Sequence, residues 1–106
     1  MQVDLLGHAW FFEREWLSVF WRELPENPIA FCGEDMHFSA MMQKHLGLNS
    51  YLPPHPADEM DLWGSVDGTL GADAKALASR KDAFRDMNIA FQQTRQKGWK
   101  LLCDQG

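Results

Sequence analysis

The sequence predicts an α+β fold in which about three helices pack on one side of a small sheet. Three observations lead to this prediction. Apolar residues recur at helical spacing in three segments, short apolar segments lie near residues 5 and 50, and a glycine follows two of the helical segments. The 106 residues suffice for one domain, residues 1–106, and are too few for two. Hydrophobic residues make up 45% and charged residues 24%, a composition that excludes a disordered chain.

The first half of the chain is predicted to form one strand and two helices. Residues 3–12 are apolar and aromatic, which favours a strand, with Gly7 marking a bulge or a close approach. The spacing of the apolar residues then becomes helical. Residues 13–24 are therefore predicted to form an amphipathic helix with an apolar stripe along one face. A second helix is expected over about residues 35–46, because Gly47 stands where a helix commonly ends.

The second half is predicted to contain one strand, a long loop, two helices and a closing strand. Residues 49–52 form the strand, and residues 53–71 form a proline-led loop whose length is typical of functional loops. Residues 72–79 form a short helix, the last helix begins at Lys81 or Asp82 and ends at Lys97, and residues 99–103 form the closing strand. The predicted core consists of Trp16, Leu17, Phe20, Phe38, Met42, Phe84, Met87 and Phe91.

Charge and cysteine usage narrow the class of protein. The net charge is −5, and the absence of a basic stripe argues against a nucleic-acid partner. No apolar run approaches the ~20 residues of a membrane span, and the first residues do not resemble a leader, so a cytoplasmic protein is expected. Cys32 and Cys103 lack metal-site or redox spacing, which favours free thiols.

Aromatic residues are unusually frequent, with five Trp and seven Phe in a short chain. One small core has limited room for so many rings, so the surplus predicts either a homodimer surface or an open face for a saccharide or a protein partner. Packing is the favoured role of the rings on the helical stripe. Trp63, in a glycine-containing loop, has three open roles: stacking on a sugar, filling a partner's pocket, or folding back onto the core.

The acidic pair Glu34-Asp35, at the predicted start of a helix, is the feature that most suggests an active site. Gly33 permits an unusual backbone geometry, and Asp35 then falls at or near the N-cap, where the helix dipole stabilises a carboxylate. The structural interpretation is that Asp35 caps the helix and Glu34 favours its first turn. The functional interpretation is that Asp35 is a general base for a substrate hydroxyl.

Histidines offer weaker candidates, because no spacing among them resembles a metal site. His55, held between prolines, is the best placed metal ligand of the four. A small metal-dependent hydrolase built from Glu34, Asp35, His37 and His55 is therefore one hypothesis, and it requires these groups within coordination distance.

Several segments, taken in order, resemble the acceptor-side, C-terminal portion of inverting glycosyltransferases of the GT-A fold. The resemblance rests on residues 3–17, 20–23, 33–39, 42–44, 51–56, 62–65 and 98–100 and covers most of the chain. It implies that Asp35 is the catalytic base, that Glu34 supports or contacts the acceptor, and that His55 contacts the donor metal or diphosphate. It also implies that Trp63 and His8 line the pocket, with His37 a further candidate for substrate binding.

The sequence departs from that family in one respect. Such enzymes carry a nucleotide-binding half with an Asp-x-Asp metal motif, and these 106 residues contain no such motif. The expectation is a glycosyltransferase-like fragment or remnant that binds a saccharide acceptor without catalysing transfer alone. Mn²⁺ or Mg²⁺ would enter only if a partner supplied the donor site. The alternative is a non-catalytic homo-oligomeric assembly module.

Overall fold

The computed structural model describes residues 1–6, 10–24, 33–54, 56–59 and 81–105, and these residues have an α+β architecture. Strand β1, Gln2–Val3, pairs antiparallel with strand β2, Ser50–Tyr51, in the register Gln2 with Tyr51 and Val3 with Ser50. A 3-10 helix covers Arg14–Trp21, helix α1 covers Glu34–Leu46, and helix α2 covers Ala83–Gln96. A short 3-10 turn, Leu102–Asp104, follows. Within these described ranges, no helix is both long and apolar enough to cross a membrane.

The core joins three parts of the chain that are far apart in sequence. Val19 of the 3-10 helix, Ala40 and Met41 of α1, and Trp99 after α2 form a buried cluster. Helix α1 lies at its centre, because it packs against both the 3-10 helix and α2. Met41 is fully buried there.

The end of α1 follows the sequence prediction. Gly47 adopts a φ of 66°, and its N–H donates to the Gln43 carbonyl at 3.1 Å, which closes the helix in the left-handed geometry that favours glycine. The chain then turns directly into β2, within the predicted strand 49–52. The predicted last helix is also confirmed, because α2 ends one residue before Lys97.

The predicted strand over residues 3–12 is wrong for most of its described part. In the part of the chain that the structure describes, Val3 is the one residue of this range that lies in a strand, paired with Ser50, and residues 4–6 and 10–12 lie outside strands. The Trp10 indole Nε1–H donates to the Leu6 carbonyl at 2.5 Å. Gly7 lies outside the described residues.

The segment 13–24 is helical as predicted, but it is a 3-10 helix. Three residues per turn place Trp16 above Val19 and place Trp21 above Ser18. Trp16 is half-buried and Val19 fully buried, whereas Trp21 faces solvent. Leu17 is 49% exposed, so its assignment to the core is wrong.

Helix α2 buries most of the predicted stripe, which included Met87 and Phe91, but not Phe84. Its buried residues are Ala83, Ala90 and Thr94, with Met87 and Phe91 partly buried beside them. This stripe starts one residue before Phe84, which is 82% exposed and was wrongly assigned to the core. Of the other predicted core residues, Phe38 is buried, and Trp16, Phe20 and Met42 are partly buried.

The predicted closing strand over residues 99–103 is wrong. Trp99 is buried, Lys100 exchanges two hydrogen bonds of 2.8 and 2.9 Å with the Gln43 side chain, and the 3-10 turn follows. The Leu102 N–H donates to Asp4 Oδ1 at 2.7 Å. Side chains therefore take the backbone hydrogen bonds that a neighbouring strand would have taken.

Candidate functional site

The acidic pair lies in the first turn of α1, as the sequence predicts. Gly33 is the N-cap, with a φ of 88°, and its carbonyl accepts the first helical hydrogen bond, from His37 N–H at 2.9 Å. Asp35 is therefore the second helical residue, and its Oδ1 accepts the Met36 N–H at 2.8 Å. Asp35 is partly buried, and Glu34 is exposed.

An open hollow of about 290 Å³ lies beside α1, and we name it the aromatic hollow. Three parts of the chain form its wall: the segment before the 3-10 helix with that helix's first turn, the middle of α1, and the residues leading into β2. Its described lining residues are Leu6, Trp10, Phe11, Phe12, Trp16, Phe38, Ser39, Met42, Leu48, Asn49, Ser50 and Tyr51.

Contacts among the rings fix the shape of the aromatic hollow. Phe38 of α1 is the common neighbour, with the Trp10 ring centroid at 5.6 Å and the Phe12 centroid at 5.1 Å in an edge-to-face arrangement. Both separations are in the range of favourable aromatic pairs. Phe11 is 98% exposed and Tyr51 is 60% exposed, so these two rings stand at the rim.

Polar groups occupy one side of the aromatic hollow. Ser39 of α1 and Ser50 of β2 are in contact, since the Ser50 hydroxyl donates to the Ser39 hydroxyl at 3.5 Å, and Asn49 precedes Ser50 in the lining. The rest of the described lining is aromatic or aliphatic. The site therefore has a hydroxyl- and amide-bearing side and an apolar side, an arrangement that suits a ligand with both characters.

His37 lies away from the aromatic hollow and inside the fold. It is 1% exposed, its ring stands edge to face with Phe20 at 4.7 Å, and its Nε2 is 2.8 Å from the Phe20 carbonyl. Because a carbonyl only accepts, Nε2 carries the proton. Burial lowers the pKa of His37, and backbone contacts with Phe20 and Glu23 oppose this effect. This placement gives His37 a structural role and provides no support for its predicted contact with substrate.

An ion cluster ties the end of the 3-10 helix region to the end of α1. The Glu23 carboxylate lies 2.9 Å from Lys44 Nζ and 2.8 Å from His45 Nε2. The hydrogen bond from Lys44, with a further one from His45, holds the pKa of Glu23 below its usual value against the opposing effect of burial. The cluster fixes the 3-10 helix across α1.

Three of the predicted site residues, His8, His55 and Trp63, lie outside the described residues, as does Cys32. Cys103 is a free, exposed thiol. No group of three His, Cys, Asp or Glu side chains in the described part of the chain is placed to hold a metal ion.

The aromatic hollow itself was not predicted as a site, although its components were visible. The surplus of aromatic residues indicates an open aromatic face, and Trp10, Phe11 and Phe12 are consecutive in the sequence. What the sequence does not show is that β2 brings Tyr51 to the same opening. Comparisons with known proteins add no further candidate: no protein-family model, no curated protein and no solved structure matches the chain.

Proposed function

We propose that this chain is the acceptor-binding part of a glycosyltransferase-like protein of the inverting GT-A type, and that the aromatic hollow holds an acceptor saccharide. The observation that carries the proposal is the pairing of aromatic faces with hydroxyl and amide groups in one open site. Aromatic rings stack on the apolar face of a sugar, and Ser39, Asn49 and Ser50 supply partners for its hydroxyl groups.

The position of Asp35 on α1 supports a role beside this site. Residues three, four and seven positions apart share a helix face, and Phe38, Ser39 and Met42 stand at these distances after Asp35. All three line the aromatic hollow. Asp35 is therefore on the same face of α1, one turn nearer the helix start, beside the described lining residues and not among them.

Transfer of a sugar needs a donor site in addition. These 106 residues lack an Asp-x-Asp motif, so the proposal assigns the nucleotide-sugar and its Mn²⁺ or Mg²⁺ to a donor-binding half supplied by a partner or by a longer chain. Calorimetry with sugar nucleotides and Mn²⁺ tests this assignment. Tight binding by the 106 residues alone would contradict it.

Saccharide binding is expected to require the rim rings. We expect methyl glycosides to shift the Trp10 indole N–H resonance, and we expect Phe11→Ala to weaken binding about 2- to 10-fold, since one aromatic contact contributes roughly 0.5–1.5 kcal/mol. Phe11 is 98% exposed, so its truncation removes little packing. Phe84→Ala is the matched control, because Phe84 is 82% exposed and does not line the aromatic hollow. A panel of glycosides that leaves the Trp10 resonance unmoved would contradict the proposal.

Asp35→Asn is expected to weaken saccharide binding about tenfold or more, because a hydrogen bond to a charged acceptor contributes roughly 1.5–3 kcal/mol and the amide keeps only the shape. Titrations of the two proteins measure the ratio. Asp86→Asn is the control, since Asp86 also lies in the first turn of a helix, α2, and does not line the aromatic hollow. Equal saccharide affinities in Asp35→Asn and the unchanged chain would show that Asp35 does not contact the saccharide. The proposed saccharide site would then depend on the ring contacts.

A second candidate function is assembly of a homodimer. Several large apolar side chains are exposed from the middle of the 3-10 helix to just beyond its end, namely Leu17, Trp21 and Leu24 at 49%, 65% and 67%. A twofold interface would bury the same patch on both copies. Light scattering on the unchanged chain and on Trp21→Ser measures this, and a monomer at high concentration would contradict it.

A further inference from the structure

The lining of the aromatic hollow is more apolar than a saccharide alone requires. Nine of its twelve described lining residues are aromatic or aliphatic, and the three polar ones are gathered on the side facing β2. A sugar ring carries hydroxyl groups around its whole edge, and each one placed against an apolar wall loses its hydrogen bond to water without replacement. The apolar side is therefore poorly suited to a second or third sugar unit.

The size of the aromatic hollow indicates what the apolar side takes instead. Its volume is about 290 Å³. An apolar cavity of about 150 Å³ is known to hold benzene, so this space accepts a hydrocarbon group as well as part of a sugar ring. The polar side, with Ser39 and Ser50, is suited to the end of the ligand that carries hydroxyl groups.

We propose that the acceptor is an alkyl glycoside in its chemistry, a saccharide that carries a hydrocarbon aglycone, and that the aglycone occupies the apolar side of the aromatic hollow. This inference rests on the proposed function, because it assigns the two halves of one acceptor to the two sides of the same site. The saccharide meets Ser39, Asn49 and Ser50 and stacks on the exposed rim rings of Phe11 and Tyr51. The alkyl group meets Trp10, Trp16 and Met42, which transfers apolar area out of water.

Affinity measured along a series of alkyl glycosides tests the inference. Methyl, butyl and hexyl glycosides of one sugar are titrated below their micelle-forming concentrations, with the Trp10 indole N–H resonance as the signal, and hexanol is titrated beside them. Each buried CH₂ contributes about 0.8 kcal/mol, so we expect affinity to rise up to about fourfold per carbon. The hexyl glycoside is expected to bind more tightly than both the methyl glycoside and hexanol.

The possible outcomes separate the inference from the proposed function. Equal affinity for the methyl and hexyl glycosides would overturn the aglycone site and leave saccharide binding intact. Hexanol binding as tightly as the hexyl glycoside would overturn the saccharide function itself, and so would an absence of binding by the whole series. Increasing affinity along the series, with hexanol weaker than the hexyl glycoside, supports both.

A variant on the apolar side of the aromatic hollow locates the alkyl group. Phe12 lines that side, is 37% exposed and does not belong to the buried cluster around Met41, so we expect Phe12→Ala to reduce the advantage of the hexyl over the methyl glycoside. Phe84→Ala again serves as the control and is expected to keep the full advantage. A full advantage in Phe12→Ala would place the alkyl group elsewhere on the protein and overturn the inference.

Discussion

Replacing Trp99 with alanine is expected to lower the free energy of unfolding by about 3–5 kcal/mol, the usual cost of truncating a large buried ring. Trp99 is 3% exposed and stands edge to face with Phe91 at 5.9 Å. It also contacts the cluster formed by Val19, Ala40 and Met41, so the truncation opens a cavity between α1, α2 and the 3-10 helix. Urea unfolding followed by circular dichroism measures the loss.

The control for Trp99 is Trp21→Ala, the same substitution at a ring that is 65% exposed. We expect it to cost less than about 1 kcal/mol, as surface substitutions usually do. Similar losses in the two variants would mean that the cluster around Trp99 is not the main core, contrary to the structure.

Replacing His37 with leucine is expected to lower the free energy of unfolding by about 1–3 kcal/mol at pH 7.5, because the Phe20 carbonyl loses its donor and leucine offers none. The hydrogen bond measures 2.8 Å, and His37 is 1% exposed, so the protein supplies few alternatives. His45→Leu is the comparison variant, because its side chain is 22% exposed and it breaks one of two contacts made by Glu23, which keeps Lys44; ion pairs that solvent reaches contribute about 0–1 kcal/mol.

The pH dependence of the His37 variant has a definite sign. Burial lowers the pKa of His37 in the folded protein, while the unfolded chain titrates at about 6.5. Above that pH both states are neutral, and the histidine adds no pH dependence. As the pH falls below about 6.5, the unfolded state binds the proton first, so the unchanged protein loses stability until the pH reaches the lower folded pKa.

His37→Leu lacks this loss, so we expect the difference in unfolding free energy between the two proteins to shrink from pH 7.5 to pH 5.5. Both proteins should still lose stability below about pH 4.3, the ordinary pKa of a glutamate in an unfolded chain. The pKa of Glu23 is lower than this in the folded state, so the unfolded chain binds the proton first as the pH falls, until the pH reaches the folded pKa. A difference that stays constant or widens on acidification would contradict a neutral, buried His37.

The sequence predicts helix α1 well because local signals and tertiary packing agree there. Gly33 and Gly47 both adopt positive φ at its ends, and its apolar stripe includes the buried Phe38 and Met41. The same agreement holds for the end of α2 and for the position of β2. In these elements a few neighbouring residues determine the backbone geometry, so a reading of the sequence alone suffices.

The errors in the predicted fold arise in segments whose backbone geometry depends on residues that are distant in sequence. The 3-10 winding of Arg14–Trp21 changes which side chains face α1, and no local signal separates three residues per turn from 3.6 in so short a segment. The predicted strand 99–103 failed because the Gln43 side chain and Asp4 take its backbone hydrogen bonds. These partners lie 57 and 98 residues away along the chain.

The candidate site shows the same division. The acidic pair was predicted at a helix start and is found in the first turn of α1. The aromatic hollow required three parts of the chain to meet, and an aromatic surplus alone gives neither its location nor its polar side. His37 illustrates the reverse error, because a histidine next to an acidic pair suggests chemistry, whereas its ring is enclosed by the fold.

The contribution of Trp99 to the core has a consequence for synthesis of the chain on the ribosome. Val19 and Met41 emerge well before residue 99, so the cluster that buries them stays incomplete until Trp99 has left the ribosome. The nascent chain therefore exposes these apolar side chains up to that point, and closure of the core depends on contacts between residues far apart in sequence.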